Sequence, residues 1–189
     1  MKILYGEGDF LEKGHQILAY PASVGSDSHL PIEKTVMKKN PDVRQSLYNM
    51  FATNENYEVE PPKLGDVIWT QTSGSKWIAH CIVFEESGFL NYDALELCLK
   101  SLKKKADELE QEQIGIPLRW FPDREMKMNW LRTYEMIEDV MSEDDDGVHG
   151  HYQVFAYDPD SKFVRDLVES LPGDKRAFYA DVQIRFRNF

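Results

Sequence analysis

Cysteine is scarce. Only Cys81 and Cys98 occur in 189 residues, and both sit inside apolar patterns, which predicts buried free thiols in a reducing compartment. Two isolated thiols and five scattered histidines also supply too few ligands for a zinc site. No apolar run approaches the roughly 20 residues that span a bilayer. The opening MKILYGEGDF reaches Glu7 and Asp9 too early for the apolar region of a secretory signal, so a cytoplasmic location is expected. Positive charge is in the minority: 22 Lys and Arg face 33 Asp and Glu, a formal net charge of -11. That balance argues against non-specific binding to nucleic acid or anionic membranes, while leaving room for a local basic site.

What the chain does have is a 42% hydrophobic and 12% aromatic composition, enough to bury a core within one domain over 1–189. The organising stretch is Gln113–Met141. A strand at Ile114–Pro117 is stopped by its proline, a bulky loop follows, and a helix then turns Leu131, Tyr134, Ile137, Val140 and Met141 to one side. In open α/β sheets ligands sit outside the carboxyl ends of strands. The loop Arg119–Met128 is therefore the first place to look for chemistry.

The other elements follow from pattern and punctuation. Lys2–Tyr5 predicts a strand broken at Gly6-Glu7-Gly8-Asp9, and His15–Tyr20 a second, apolar enough to be buried on both faces. Pro21–Leu30 reads as a loop. Pro31 and Pro41 open two helices, the second with Val43, Leu47, Met50 and Phe51 inward. Val67–Gln71 and Trp77–Phe84 form a hairpin through Thr72-Ser73-Gly74-Ser75. Asn91 caps a long helix carrying Leu95, Cys98, Leu99, Leu102, Ala106 and Leu109 on one face. Its lysines, Lys100 and Lys103–Lys105, are expected in solvent. An acidic turn at Ser142–Gly147 precedes a strand at Tyr152–Tyr157 and a helix at Ser161–Leu171. Ala180, Val182, Ile184 and Phe186 alternate as a final strand at or near a sheet edge. Strands alternating with helices predict a three-layer α/β/α arrangement on a sheet of mixed direction.

In this order the elements resemble the macrodomain family, and more closely the branch holding terminal ADP-ribose protein glycohydrolase and ADP-ribose-1''-phosphate phosphatase. Gly8-Asp9-Phe10 looks like the family's Gly-Asp-apolar motif after the first strand. His15–Ser23 looks like the second strand entering the first ligand loop. Trp77–Phe84 with Asn91–Leu99 is similar to a family strand and its following helix. Ile114–Pro117, Asn129-Trp130 and Tyr134–Val140 are similar to the strand, second ligand loop and helix. The resemblance covers residues 1–158 as a macrodomain-like core and leaves 159–189 as an appended helix and strand.

The resemblance implies that Asp9 hydrogen-bonds an adenine amino group, with Phe10, Ser23 and Gly25 around the ligand, and that Phe155 or Tyr157 stacks on the adenine. A plain Gly-Asp turn and plain core aromatics are the alternatives. It also places a catalytic aspartate in the second loop, where Asp123 stands and Asn129 competes for the equivalent place. His29, beside Asp27 and Ser28 in the first loop, is the candidate general acid or base. His80 lies in an apolar strand and reads as a satisfied core histidine.

The departures are in the loops. The second loop, Leu118–Met126, contains no glycine, where the family cradles a diphosphate on bare backbone. Arg119 or Arg124 would have to clamp phosphate by side chain instead. Glu85-Glu86 stands where the glycohydrolase branch uses a lysine, and a carboxylate cannot replace an amine nucleophile there. Trp120-Phe121 either fills the space of the missing glycines or lines a pocket or partner surface.

The expected function is binding of ADP-ribose or a related nucleotide, free or on a modified macromolecule, with hydrolysis of an ADP-ribose derivative as an extension. No metal and no cofactor is implied. Two rivals stand beside it. One is an inactive macrodomain-like scaffold that binds another protein. The other is a phosphoester hydrolase built on Asp27, His29, Arg119 and Asp123.

Overall fold

The computed structural model describes residues 3–23, 31–51, 62–119, 130–143 and 152–170. Its elements are β1 (Leu4–Glu7), a 3-10 turn (Phe10–Glu12), β2 (Ile17–Ser23), α1 (Pro31–Lys39), α2 (Pro41–Phe51), β3 (Val67–Gln71), β4 (Trp77–Phe84), α3 (Tyr92–Glu108), β5 (Gln113–Pro117), α4 (Trp130–Ser142), β6 (Gln153–Asp158) and α5 (Ser161–Ser170). Among the described residues the strands form one six-stranded sheet in the order β1-β6-β5-β2-β4-β3. All neighbours are parallel except the β3–β4 hairpin. This is the expected mixed α/β sheet.

Side chains alternate between two cores. Tyr5, Ile17, Ala19, Cys81, Ile114, Ile116 and Ala156 pack beneath α3, α4 and α5. Leu4, Leu18, Tyr20, Ile78, Phe155 and Tyr157 pack with Phe10, Val36 of α1 and Val43 of α2. The period of 2 along each strand is what divides the residues between the layers. Cys81 and Cys98 are free and buried, as expected. They line a small apolar void of about 10 Å³ on the α3 side of the sheet, a packing defect without polar lining.

Several local expectations are corrected. The first strand does not break at Gly6; it runs to Glu7, in register with Asp158. The ring of Tyr157 lies where a Cβ on Gly6 would be, so the glycine serves close strand packing. The break comes at Gly8, whose φ of +112° suits glycine alone. Pro21, Ala22 and Ser23 belong to β2, pairing with β4 as far as Ser23 and Phe84. Met50 is exposed. Lys103 is buried, and its ammonium donates to the Glu143 carbonyl at 2.9 Å. Lys105 lies over the ring of Trp77, 4.5 Å from its centroid. The predicted strand at 180–187, the acidic turn at 144–147 and both ligand loops, 24–30 and 120–129, lie outside the described residues.

Candidate functional site

The sheet itself marks a site. β2 is followed by α1 on one face of the sheet, while its neighbour β5 is followed by α4 on the other. Adjacent strands whose connections leave to opposite faces create a crevice at their carboxyl ends, the usual ligand position of open α/β sheets. Pairing between β2 and β5 agrees with this: it covers only Ile17 with Ile114 and Leu18 with Gly115. Beyond those pairs β2 continues against β4 alone. The residues before each ligand loop, Ser23 and Arg119, thus flank the crevice.

Asp9 stands in the turn after β1 and caps the 3-10 turn, accepting the Leu11 N–H at 2.9 Å. Its other oxygen pairs with the Lys39 ammonium, which also reaches Glu12 at 3.1 Å. Hydrogen bonding, first to Asp9 and then to Glu12, raises the Lys39 pKa. The Asp9 carboxylate is therefore aimed and partly open to solvent, but already paired with a cation. Phe10, next to it, is buried in the α1–α2 core.

Ser23 is buried at the end of β2. Its N–H and hydroxyl both point to the Glu33 carboxylate at 3.4 Å. Glu33 was not foreseen as a site residue. It is only 6% exposed although it lies in the first turn of α1. An acid there reads in sequence as a complement to the helix dipole, which conceals its burial against β2.

Arg119 is committed. Its Nε and Nη2 donate to Asp158 Oδ2 and Oδ1 at 2.5 and 2.7 Å, a two-pronged fork, and its guanidinium lies over Phe163 at 4.6 Å. The bond to Asp158 raises its pKa further. A ligand phosphate would have to compete with Asp158 for this group.

Phe155 is buried, and one of its faces carries the imidazole of His15, with centroids 4.7 Å apart. His15 Nε2 and the Tyr157 hydroxyl hydrogen-bond at 2.7 Å, while Nδ1 has no hydrogen bond among the described residues. Burial lowers the His15 pKa, helped by Lys76 and Lys13; Gln113 acts in the opposite direction, though without bonding geometry to Nδ1. His80 is the core histidine expected from its strand pattern. It joins the Tyr20 hydroxyl and, at 2.7 Å, the Thr70 hydroxyl.

The structure thus brings Asp9, Ser23 and Arg119 to the carboxyl end of the sheet, with Phe155 beneath it in the core. Gly25, His29, Asp123 and the neighbouring Asp27, Trp120 and Phe121 lie outside the described residues. Among the described residues no group of three or more His, Cys, Asp or Glu is arranged to hold a metal ion. No described helix is long and apolar enough to cross a membrane.

Solved structures with the same arrangement include macrodomains. The chain is similar to the macrodomain of Thermus aquaticus DarG, with 14% identity and a TM-score of 0.60 over 83% of this chain and 98% of that one. A macrodomain protein from Streptomyces coelicolor gives 20% identity and a TM-score of 0.60 over 83% and 99%. The macrodomain of Mycobacterium tuberculosis DarG gives 14% and 0.61 over 83% and 97%. No protein-family model matches the sequence, and no curated protein does. The chain has the macrodomain fold.

Proposed function

We propose that the protein binds ADP-ribose or a related ADP-ribose-containing nucleotide at the carboxyl end of its sheet. The observation that carries this reading is Asp9. It stands on the turn after β1, where the resemblance calls for the adenine-binding acid, and its carboxylate is oriented by the Leu11 N–H. The crevice between β2 and β5 supports the same location. Titration calorimetry against ADP-ribose, its 1''-phosphate, NAD and AMP tests the proposal. Saturable binding of ADP-ribose is expected. In the Asp9→Ala variant its affinity should fall at least about tenfold, the loss of one hydrogen bond to a charged acceptor. Equal affinity in the variant would refute the adenine assignment.

Hydrolysis of an ADP-ribose derivative would fall to Asp123 and His29 in the two loops. With Glu85-Glu86 after β4, that chemistry would proceed without a lysyl adduct. A modified protein or a free nucleotide would meet the same site. The free thiols and a reducing cytoplasm suit each other.

The Arg119 fork favours a second reading. A cation at the start of the second loop already held by a buried carboxylate suits a scaffold whose loops contact another protein. Absence of binding to all four nucleotides would select it. A phosphoester hydrolase using His29 and Asp123 would instead turn over a generic aryl phosphate.

A further inference from the structure

Asp158 is only 3% exposed at the end of β6, yet four donor contacts from three chain segments converge on it. Its carboxylate takes both prongs of Arg119 from the exit of β5 and, at 2.8 Å, the N–H of Asp160. Its backbone carbonyl takes the Gly8 N–H, also at 2.8 Å. The next residue along from Gly8 is Asp9. Asp160 then caps α5 through the N–H groups of Lys162 and Phe163, and the Phe163 ring supports the Arg119 guanidinium. On the other side, the Leu118 N–H donates to the Tyr157 carbonyl at 2.7 Å, and the Tyr134 hydroxyl donates to the Leu118 carbonyl at 2.5 Å.

The carboxyl ends of β1, β6 and β5 are thus tied into one wall, whereas β2 and β5 have no pairing beyond Leu18 and Gly115. Arg119 is one-third exposed and Asp158 buried, and an ion pair with a buried member is a poor way to gain stability, because desolvation offsets much of its attraction. What a fork supplies and apolar packing does not is direction.

We propose that Arg119 and Asp158 form a positioning pair that fixes the Gly8-Asp9 turn and the start of the second loop relative to each other, so setting the nucleotide site without touching the nucleotide. This rests on the ADP-ribose reading above. Arg119 is then a strut for the wall and not a phosphate clamp.

The test is Arg119→Lys, which keeps the charge but cannot present two parallel donors. In the ligand-free variant the amide resonances of Gly8 and Asp9 should move, and ADP-ribose affinity should fall about tenfold or more. Where that variant does not fold, Arg119→Gln with Asp158→Asn, an uncharged hydrogen-bonding pair, is measured the same way. Affinity lost with both resonances unmoved would mean direct phosphate contact and overturn the proposal, as would unchanged affinity. If the parent binds no ADP-ribose, the functional reading has failed. The two resonances then decide by themselves whether the pair holds the turn.

Discussion

Asp9 faces competing demands. Recognition of an adenine amino group needs an accessible lone pair, yet one oxygen caps the turn and the other is paired with Lys39. Lys39 is about two-fifths exposed and Asp9 about one-quarter, so the pair is a surface salt bridge, worth on the order of 0–1 kcal/mol. A nucleotide can displace it, at that cost. Lys39→Met should therefore raise ADP-ribose affinity by up to about fivefold and shift the melting temperature little. Calorimetry at low and high salt checks this: the advantage of the variant should shrink as salt screens the parent's ion pair. A variant that binds more weakly than the parent would show instead that Lys39 contacts the ligand. Of these residues, sequence offered Asp9 through its Gly-Asp setting. It could not offer Lys39, which lies 30 positions away and reaches Asp9 only once α1 is laid on the sheet. Arg119 was legible as a cation at the loop, but not its capture by Asp158, for the same reason.

The long helix shows what local signals can carry. Asn91 before an apolar stripe predicted both the start of α3 and its buried face, and its side chain does accept the Ala94 N–H at 2.9 Å. It also donates to Glu85 at 3.1 Å, tying the cap to the turn after β4. Asn91→Ala should cost about 1 kcal/mol. For a chain of this size that lowers the melting temperature by about 2–4 °C, measurable by calorimetry. No change would mean that water or a neighbour satisfies the helix end equally well. Lys103 is the counterexample on the same helix. Three neighbouring lysines read as a solvated run, but the helical period turns one of them inward to the end of α4, where a cation suits the terminal carbonyls. Pro21 misled for a similar reason. Proline is a poor central-strand residue, but β2 has lost its pairing with β5 by that point, and pairing with β4 alone tolerates it. Glu33 was missed because a first-turn acid normally faces solvent.

At the scale of the whole molecule, the two cores place a neutral histidine on the α1–α2 side of the sheet that acid must eventually charge. His80 is 2% exposed, and burial pushes its pKa down to about 3. Tyr20 and Thr70 occupy its two ring nitrogens, which suits a neutral imidazole with one donor and one acceptor. In the unfolded chain the same group titrates near the ordinary value of about 6.5. Between those two values the unfolded state binds a proton that the folded state refuses. Stability is therefore full above about pH 6.5 and falls as the pH drops toward about 3. At pH 5 the loss from His80 is on the order of 2 kcal/mol. His15, also with a lowered pKa, adds in the same direction. Asp42 has its pKa lowered chiefly by the Ser73 N–H, so its contribution is lost only below the ordinary carboxylate range. Among the described groups with a resolved shift, His80 and His15 are the ones whose ordinary pKa lies between pH 5 and pH 7. Urea unfolding at both pH values should show the parent losing about 2 kcal/mol or more. His80→Gln, which keeps a polar partner for Tyr20 and Thr70, will be less stable at pH 7 but should lose much less on acidification. The same pH dependence in parent and variant would show that His80 is not the group that acid charges.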